Sequence, residues 1–144
     1  WGMLAAARAC APLVQGDALR LPLHDDGMDG VTCGFALRNV ADIEQLFREL
    51  ARVTRSGGRL AVLEVATPES SVTRSLHHVY FHKVVPKVGA VLSDRDAYSY
   101  LPRSVEYLPE TDELIEIVKT AGYRDIERTL MGFGAAQLIV ATMS

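Results

Sequence analysis

Apolar and polar positions follow two rhythms along this chain, and the changes of rhythm divide it into elements. Residues 2–9 carry the end of a helix-like pattern. "APLVQGDA" (11–18) reads as a short apolar strand that ends at Gly16-Asp17, and "LRLPLHDDGMDG" (19–30) as a loop broken by Pro22 and Gly27. "GVTCGF" (30–35) has the continuous apolar character of a strand buried on both faces. Ile43, Leu46, Phe47, Leu50 and Val53 then recur at helical spacing and form one apolar face. Asp42 is placed to cap that helix, with Gln45 three residues on. Arg52 and Arg55 fall near its end, where the helix dipole favours cations, and Ser56-Gly57-Gly58 is expected to stop it. "RLAVLEVA" (59–66) is a third buried strand, closed by Thr67-Pro68.

Residues 69–109 change texture, with aromatic residues, His and Pro, and are expected to form short helices broken at Pro86 and Pro102. Thr111 should cap a further helix with Asp112 and Glu113 in its first turn. Its apolar face is Leu114, Ile117, Val118 and Ala121, and Gly122 ends it. "YRDIERTL" and "AAQLIVATM" read as two closing strands. Alternating helices and buried strands predict an α/β architecture with a mostly parallel sheet. Ligands of such sheets sit at the carboxyl ends of the strands. Three successive ends carry polar groups: Asp17, then Arg38 and Asn39, then Glu64. Their placement predicts one crevice.

Composition narrows the classes. The chain has 144 residues, 49% hydrophobic and 23% charged, enough for one domain with a core. A net charge of −3 argues against nucleic-acid binding. No apolar run reaches the ~18 residues of a membrane span. Cys10 and Cys33 suit neither a disulfide framework nor a zinc site and are expected to be buried free thiols in a cytoplasmic protein. His78 and His82 have metal-pair spacing, but no carboxylate or Cys completes a site, so no metal is expected.

"GDALRLPLHDDGMDGVTCGFALRNVAD" followed by "FRELARVTRSGGRLAVLEVATP" closely resembles the UbiE-type methyltransferases of ubiquinone and menaquinone biosynthesis. "KVVPKVG" and "DAYSYLPRSVEYLPETDEL" extend the match, which covers residues 2 to about 130. The resemblance implies a Rossmann-like fold for methyltransferases dependent on S-adenosyl-L-methionine (SAM), with the last strand antiparallel. The family's glycine-rich SAM loop and the acidic residue of its second strand have no counterpart here. The chain is therefore expected to be the C-terminal portion of one methyltransferase domain, lacking its first two strands, with a substrate-side insert at about 69–109. Where the family ends in a Gly-Gly-Ile-Val-Ala-Leu-His run, this chain reads "GFGAAQLIVATMS".

The resemblance assigns roles residue by residue. Asp17 and Ala18 match its adenine-binding pair; the alternative for Asp17 is a turn-stabilising carboxylate. Gly34 matches a position beside SAM, or is there for packing. Arg38 and Asn39 match the pair that acts on the quinol, Arg38 by holding a water and stabilising a phenolate, Asn39 by orienting the guanidinium or the water. Tyr98 and Tyr100 fall on substrate-side positions or are core aromatics. Glu64 is open between a supporting carboxylate and a capping acceptor. The implied reaction is SAM-dependent C-methylation of a polyprenylated quinol. The insert, with five basic and four acidic residues, would bring peripheral contact with an anionic membrane surface. Two other readings stay open: methylation of a soluble small molecule at O or N, favoured by the altered ending, and a non-catalytic binding module.

Overall fold

A computed structural model describes residues 2–7, 11–66, 108–132 and 134–144. Helix α1 (Gly2–Ala6) precedes an irregular stretch, strand β1 (Met28–Gly34), helix α2 (Ile43–Val53) and strand β2 (Thr54–Val65). Helix α3 (Thr111–Thr120) leads into strands β3 (Tyr123–Met131) and β4 (Ala136–Met143). The four strands form one sheet in the order β1-β2-β4-β3. β1 and β2 are parallel because α2 carries the chain back between them, and β4 runs antiparallel to both its neighbours. The last strand is thus the antiparallel one, as expected.

The core lies on one face of this sheet. Leu60 and Val62 of β2 stand opposite Ala141 and Ile139 of β4, and all four are buried. Strand side chains repeat every second residue, so these positions share a face. α2 and α3 lay Leu46, Phe47, Leu50, Leu114 and Val118 against it. The helical period read from the sequence is the period that packs. Asp42 caps α2 by accepting the Gln45 N–H at 2.8 Å.

Four expectations need correction. Residues 11–18 are not a strand: they are irregular, with only an isolated bridge between Asp17 and Arg20, and Leu13 and Val14 are exposed. An extended segment is a strand only when a neighbour takes its hydrogen bonds, and none among the described residues does. Among the described residues β1 is not buried on both faces: it lies at the edge of the sheet they form, and its residues are half-buried or exposed. Ser56-Gly57-Gly58 does not stop α2, which ends at Val53; it lies inside β2. There the sheet register shifts, Gly57 takes φ +77°, and a Cβ on Gly58 would stand 2.8 Å from the Arg55 carbonyl oxygen. Thr111 is the first helical residue of α3, not its cap. The expected helices and breaks within 69–107 lie outside the described residues.

The loop that carries Asp17 is tied down along α2. Gln45 donates to the Leu19 carbonyl at 3.3 Å, Glu49 accepts the Leu21 N–H at 2.6 Å, and Arg52 donates to the Leu21 carbonyl at 3.1 Å. Arg52 also pairs with Asp25 and, at 2.7 Å, with Glu49. Hydrogen bonding from Arg52 and then from the Leu21 backbone holds the Glu49 carboxyl below its ordinary value of 4.5, against the opposing effect of burial. A depressed carboxylate stabilises the fold above its unfolded pKa and loses that contribution as pH falls through the folded one. Glu49→Gln should therefore lower stability by ~1–3 kcal/mol at neutral pH, the range for hydrogen bonds to charged groups. The deficit should shrink below pH 4.5. Urea unfolding at several pH values checks this, and a pH-independent deficit contradicts it.

Candidate functional site

The site begins where β1 ends. Phe35 donates its N–H to the Leu63 carbonyl at 2.8 Å, one step past the last β1 residue, and adopts φ +53°. That left-handed residue turns the chain out of the sheet. A single 3₁₀ turn follows at Leu37–Asn39, closed by Asn39 N–H to the Ala36 carbonyl at 2.9 Å and Val40 N–H to the Leu37 carbonyl at 3.1 Å. Leu37 points into the core and is fully buried. Arg38, the next residue, comes to Glu64 at the end of β2.

Glu64 follows Leu60 and Val62 on the core-facing side of β2, opposite Gln137. Its side chain is 1% exposed, and that of Arg38 8%. One carboxylate oxygen, Oε2, accepts the Leu37 N–H at 3.1 Å. The other, Oε1, accepts Arg38 Nη1 at 3.1 Å and the Val65 N–H at 2.9 Å. Arg38 Nε is buried and has no acceptor among the described residues. The Arg38 Cζ atom lies 5.6 Å from the centre of the half-exposed Phe35 ring, within cation–π range. Arg38 also lines a cleft of about 750 Å³ whose walls include Val40, Asp42, Ile43, Leu108 and Ile117.

The predicted crevice is realised in part. Arg38 and Glu64 meet; Asp17 makes no hydrogen bond to either. Asp17 is exposed, and its Oδ1 accepts the Leu19 N–H at 2.9 Å, which is the turn-stabilising geometry. Its Oδ2 and the Ala18 N–H make no hydrogen bond among the described residues. A Cβ on Gly34 would meet nothing within 4 Å, so packing does not require that glycine. Asn39 is exposed and its side chain bonds to nothing described, so Glu64, and not Asn39, holds the guanidinium here. Tyr98, Tyr100, His78 and His82 lie outside the described residues. So does Cys10, while Cys33 is a free, half-buried thiol. Among the described residues no group of His, Cys, Asp or Glu could hold a metal ion.

Glu64 is the residue that sequence reasoning left unplaced. Its signal was parity: Leu60 and Val62 face the core, and Glu64 continues the alternation inward. A carboxylate on that phase is buried and therefore needs a donor of its own.

A mixed sheet with an antiparallel last strand, and polar groups gathered beyond the carboxyl ends of β1 and β2, is the arrangement of the Rossmann-like α/β fold of SAM-dependent methyltransferases. Solved structures agree. A SAM-dependent methyltransferase from Thermotoga maritima is similar with a TM-score of 0.60 at 21% identity, over 91% of this chain and 63% of that one. One from Aquifex aeolicus gives 0.59 at 16%, over 92% and 55%. Residues 5–142 match the ubiE/COQ5 methyltransferase family, and the chain belongs to it. It is 47% identical over 129 residues to a demethylmenaquinone methyltransferase of Roseiflexus castenholzii, covering 89% of this chain and 54% of that one. It is 44% identical over 144 residues to one of Mycolicibacterium gilvum, covering 98% and 63%. The chain thus spans little more than half the length of these curated relatives.

Burial, and then the nearby Glu64 charge, push the Cys33 thiol above its ordinary 9.0. With Cys10 replaced by Ser, alkylation of Cys33 should be slow at neutral pH and rise with a midpoint above 9.0. Rates measured across pH check this, and a midpoint below 9.0 would contradict the placement of Cys33 beside a buried carboxylate.

Proposed function

We propose that this chain is part of an enzyme that methylates a ring carbon of a polyprenylated quinol, with SAM as methyl donor. The observation that carries the reading is the buried Arg38 guanidinium, held from one side by Glu64 and lining a cleft beside the strand ends. The names of the curated relatives supply the substrate class, a demethylated menaquinol.

The residues present fit the cofactor at three positions. Asp17 keeps one carboxylate oxygen free to accept from the adenine amino group, Ala18 keeps its N–H for a ring nitrogen, and Gly34 leaves open space for a ligand. When bound, SAM supplies an electrophilic sulfonium methyl. The chain's own task is to make the ring carbon nucleophilic. Arg38 cannot be the base, since a guanidinium keeps its proton in proteins. It stabilises the phenolate through charge-assisted hydrogen bonds and holds a water through which the phenolic proton passes to bulk solvent. A phenolate pushes charge onto the ring carbon beside it. Asn39, exposed on the same turn, is placed for that water or for the ring substituents. The tail would lie toward residues 69–109, with Tyr98 and Tyr100 among the groups around the ring. The insert's net charge of +1 suits brief contact with an anionic membrane surface. No helix among the described residues is long and apolar enough to cross a membrane.

Two outcomes test this in a SAM-binding protein that contains the segment. Arg38→Lys keeps the charge and loses the planar fork. Turnover of demethylmenaquinol should fall ~10²–10³-fold with SAM affinity nearly intact, as when one preorganised donor of an oxyanion is removed. Arg38→Ala should recover part of its turnover at high pH, where the quinol ionises unaided. Wild-type turnover of Arg38→Ala at neutral pH contradicts the mechanism. Asp17→Ala should weaken SAM binding by ~1–3 kcal/mol, and an unchanged dissociation constant by calorimetry would leave Asp17 a turn residue.

A further inference from the structure

We infer that Glu64 is a positioning residue for the methyl transfer: it acts through Arg38, fixing the direction in which the guanidinium presents its remaining donors to the cleft. This rests on the role proposed above for Arg38.

Three observations carry it. First, Glu64 grips the Arg38 turn twice. Oε2 holds the Leu37 backbone N–H, and Oε1 holds Arg38 Nη1. A side chain that only capped the 3₁₀ turn would need the first contact alone. Second, the contact is single. Nη1 is engaged while the buried Nε has no acceptor among the described residues. A bidentate carboxylate pair would use two donors of the planar fork. Here one arm is held while the buried Nε lacks an acceptor among the described residues, which suits a group that must hold an oxygen of something else. Third, Glu64 itself cannot reach substrate. It is 1% exposed and its two oxygens are engaged by Leu37, Arg38 and Val65, so it is not placed to touch the ring or to take its proton. Its effect on the reaction passes through the guanidinium.

A buried carboxylate could serve stability only, and the test separates the two roles. In a SAM-binding protein that contains the segment, Glu64→Gln removes the charge while keeping the shape. Demethylmenaquinol turnover per SAM-binding site should fall ~10–100-fold, by analogy with the loss when a hydrogen-bond partner that orients a metal ligand is removed. SAM affinity should stay within about twofold, because Glu64 touches none of the residues placed around the cofactor. The decisive readout is a double-mutant cycle. In an Arg38→Ala background, Glu64→Gln should lower turnover no further. If Glu64→Gln costs the same factor with and without Arg38, its role is structural and the inference fails. If Glu64→Gln does not accumulate as folded protein, the same cycle is read on Glu64→Asp, whose carboxylate is withdrawn by one methylene. Wild-type turnover in the variant that folds also overturns the inference. The two failures are distinguishable: a slow Arg38→Ala with a fast Glu64→Gln rejects only the positioning role, whereas a fast Arg38→Ala rejects the reading of Arg38 on which it stands.

Discussion

The buried carboxylate of Glu64 is the constraint around which this end of the sheet is arranged. It sits on the strand phase that Leu60 and Val62 give to the core. Removing an ionised group from water costs several kcal/mol even after relaxation. The group is tolerable only with donors on both oxygens, and three converge on it. Two of them come from the turn after β1. Since Leu37 is itself locked into the core cluster, the turn, the guanidinium and the strand end form one unit. Apolar residues at both 38 and 64 would remove the desolvation penalty, and replacing a whole buried ion pair in that way is often neutral or stabilising, whereas removing one partner alone leaves an uncompensated buried charge. Stability alone is a poor reason for Glu64 to be there; a fixed Arg38 is a better one.

Phe35 shows the same preference for geometry over ease. A left-handed conformation is unfavourable by ~1–2 kcal/mol for a residue with a Cβ. Here it is adopted by an aromatic residue directly after Gly34, whose own φ is ordinary. The conformation lets the chain make one last sheet hydrogen bond and then turn Leu37 inward within two residues. The ring is left half exposed against the guanidinium. The strained residue and the buried ion pair are neighbours in the same short turn, and strain of this kind persists only where the surroundings over-determine it.

The parts that local chemistry decides were legible in the sequence. α2 follows from its apolar spacing and its Asp42 cap, and the closing strands follow from their alternation. The errors fall where partners decide. "APLVQGDA" has strand composition and no neighbour among the described residues to pair with. "GVTCGF" has the composition of a central strand and lies at the edge of the sheet that the described residues form. Ser56-Gly57-Gly58 looks like a helix stop, yet the helix has already ended and the glycines absorb a register shift. At the site, Arg38 is legible as an unusual residue at a strand end, while the resemblance offers Asn39 as the group that orients the guanidinium or the water and leaves the carboxylate that holds the guanidinium unnamed. The carboxylate that pairs with Arg38 in this structure is 26 residues away and is visible in the sequence only as a charge on an inward phase.

The same helix mounts both halves of the proposed site. Its N-terminus, capped by Asp42, follows the Arg38 turn after two residues, and Val40, Asp42 and Ile43 form part of the cleft wall. Along its length, Gln45, Glu49 and Arg52 stand at i, i+4 and i+7, one side of the helix, and pin residues 19–25 through backbone and side-chain bonds. The loop carrying Asp17 and Ala18 and the turn carrying Arg38 therefore share a rigid element, not a flexible connection. Reactions that depend on alignment lose rate steeply with small displacements of the reacting groups. Mounting the loop proposed for the cofactor and the guanidinium proposed for the substrate on one packed helix limits how far either can move relative to the other. The apolar face of α2 fastens that helix to the sheet, so the burial of Leu46, Phe47 and Leu50 bears on the site as well as on the core.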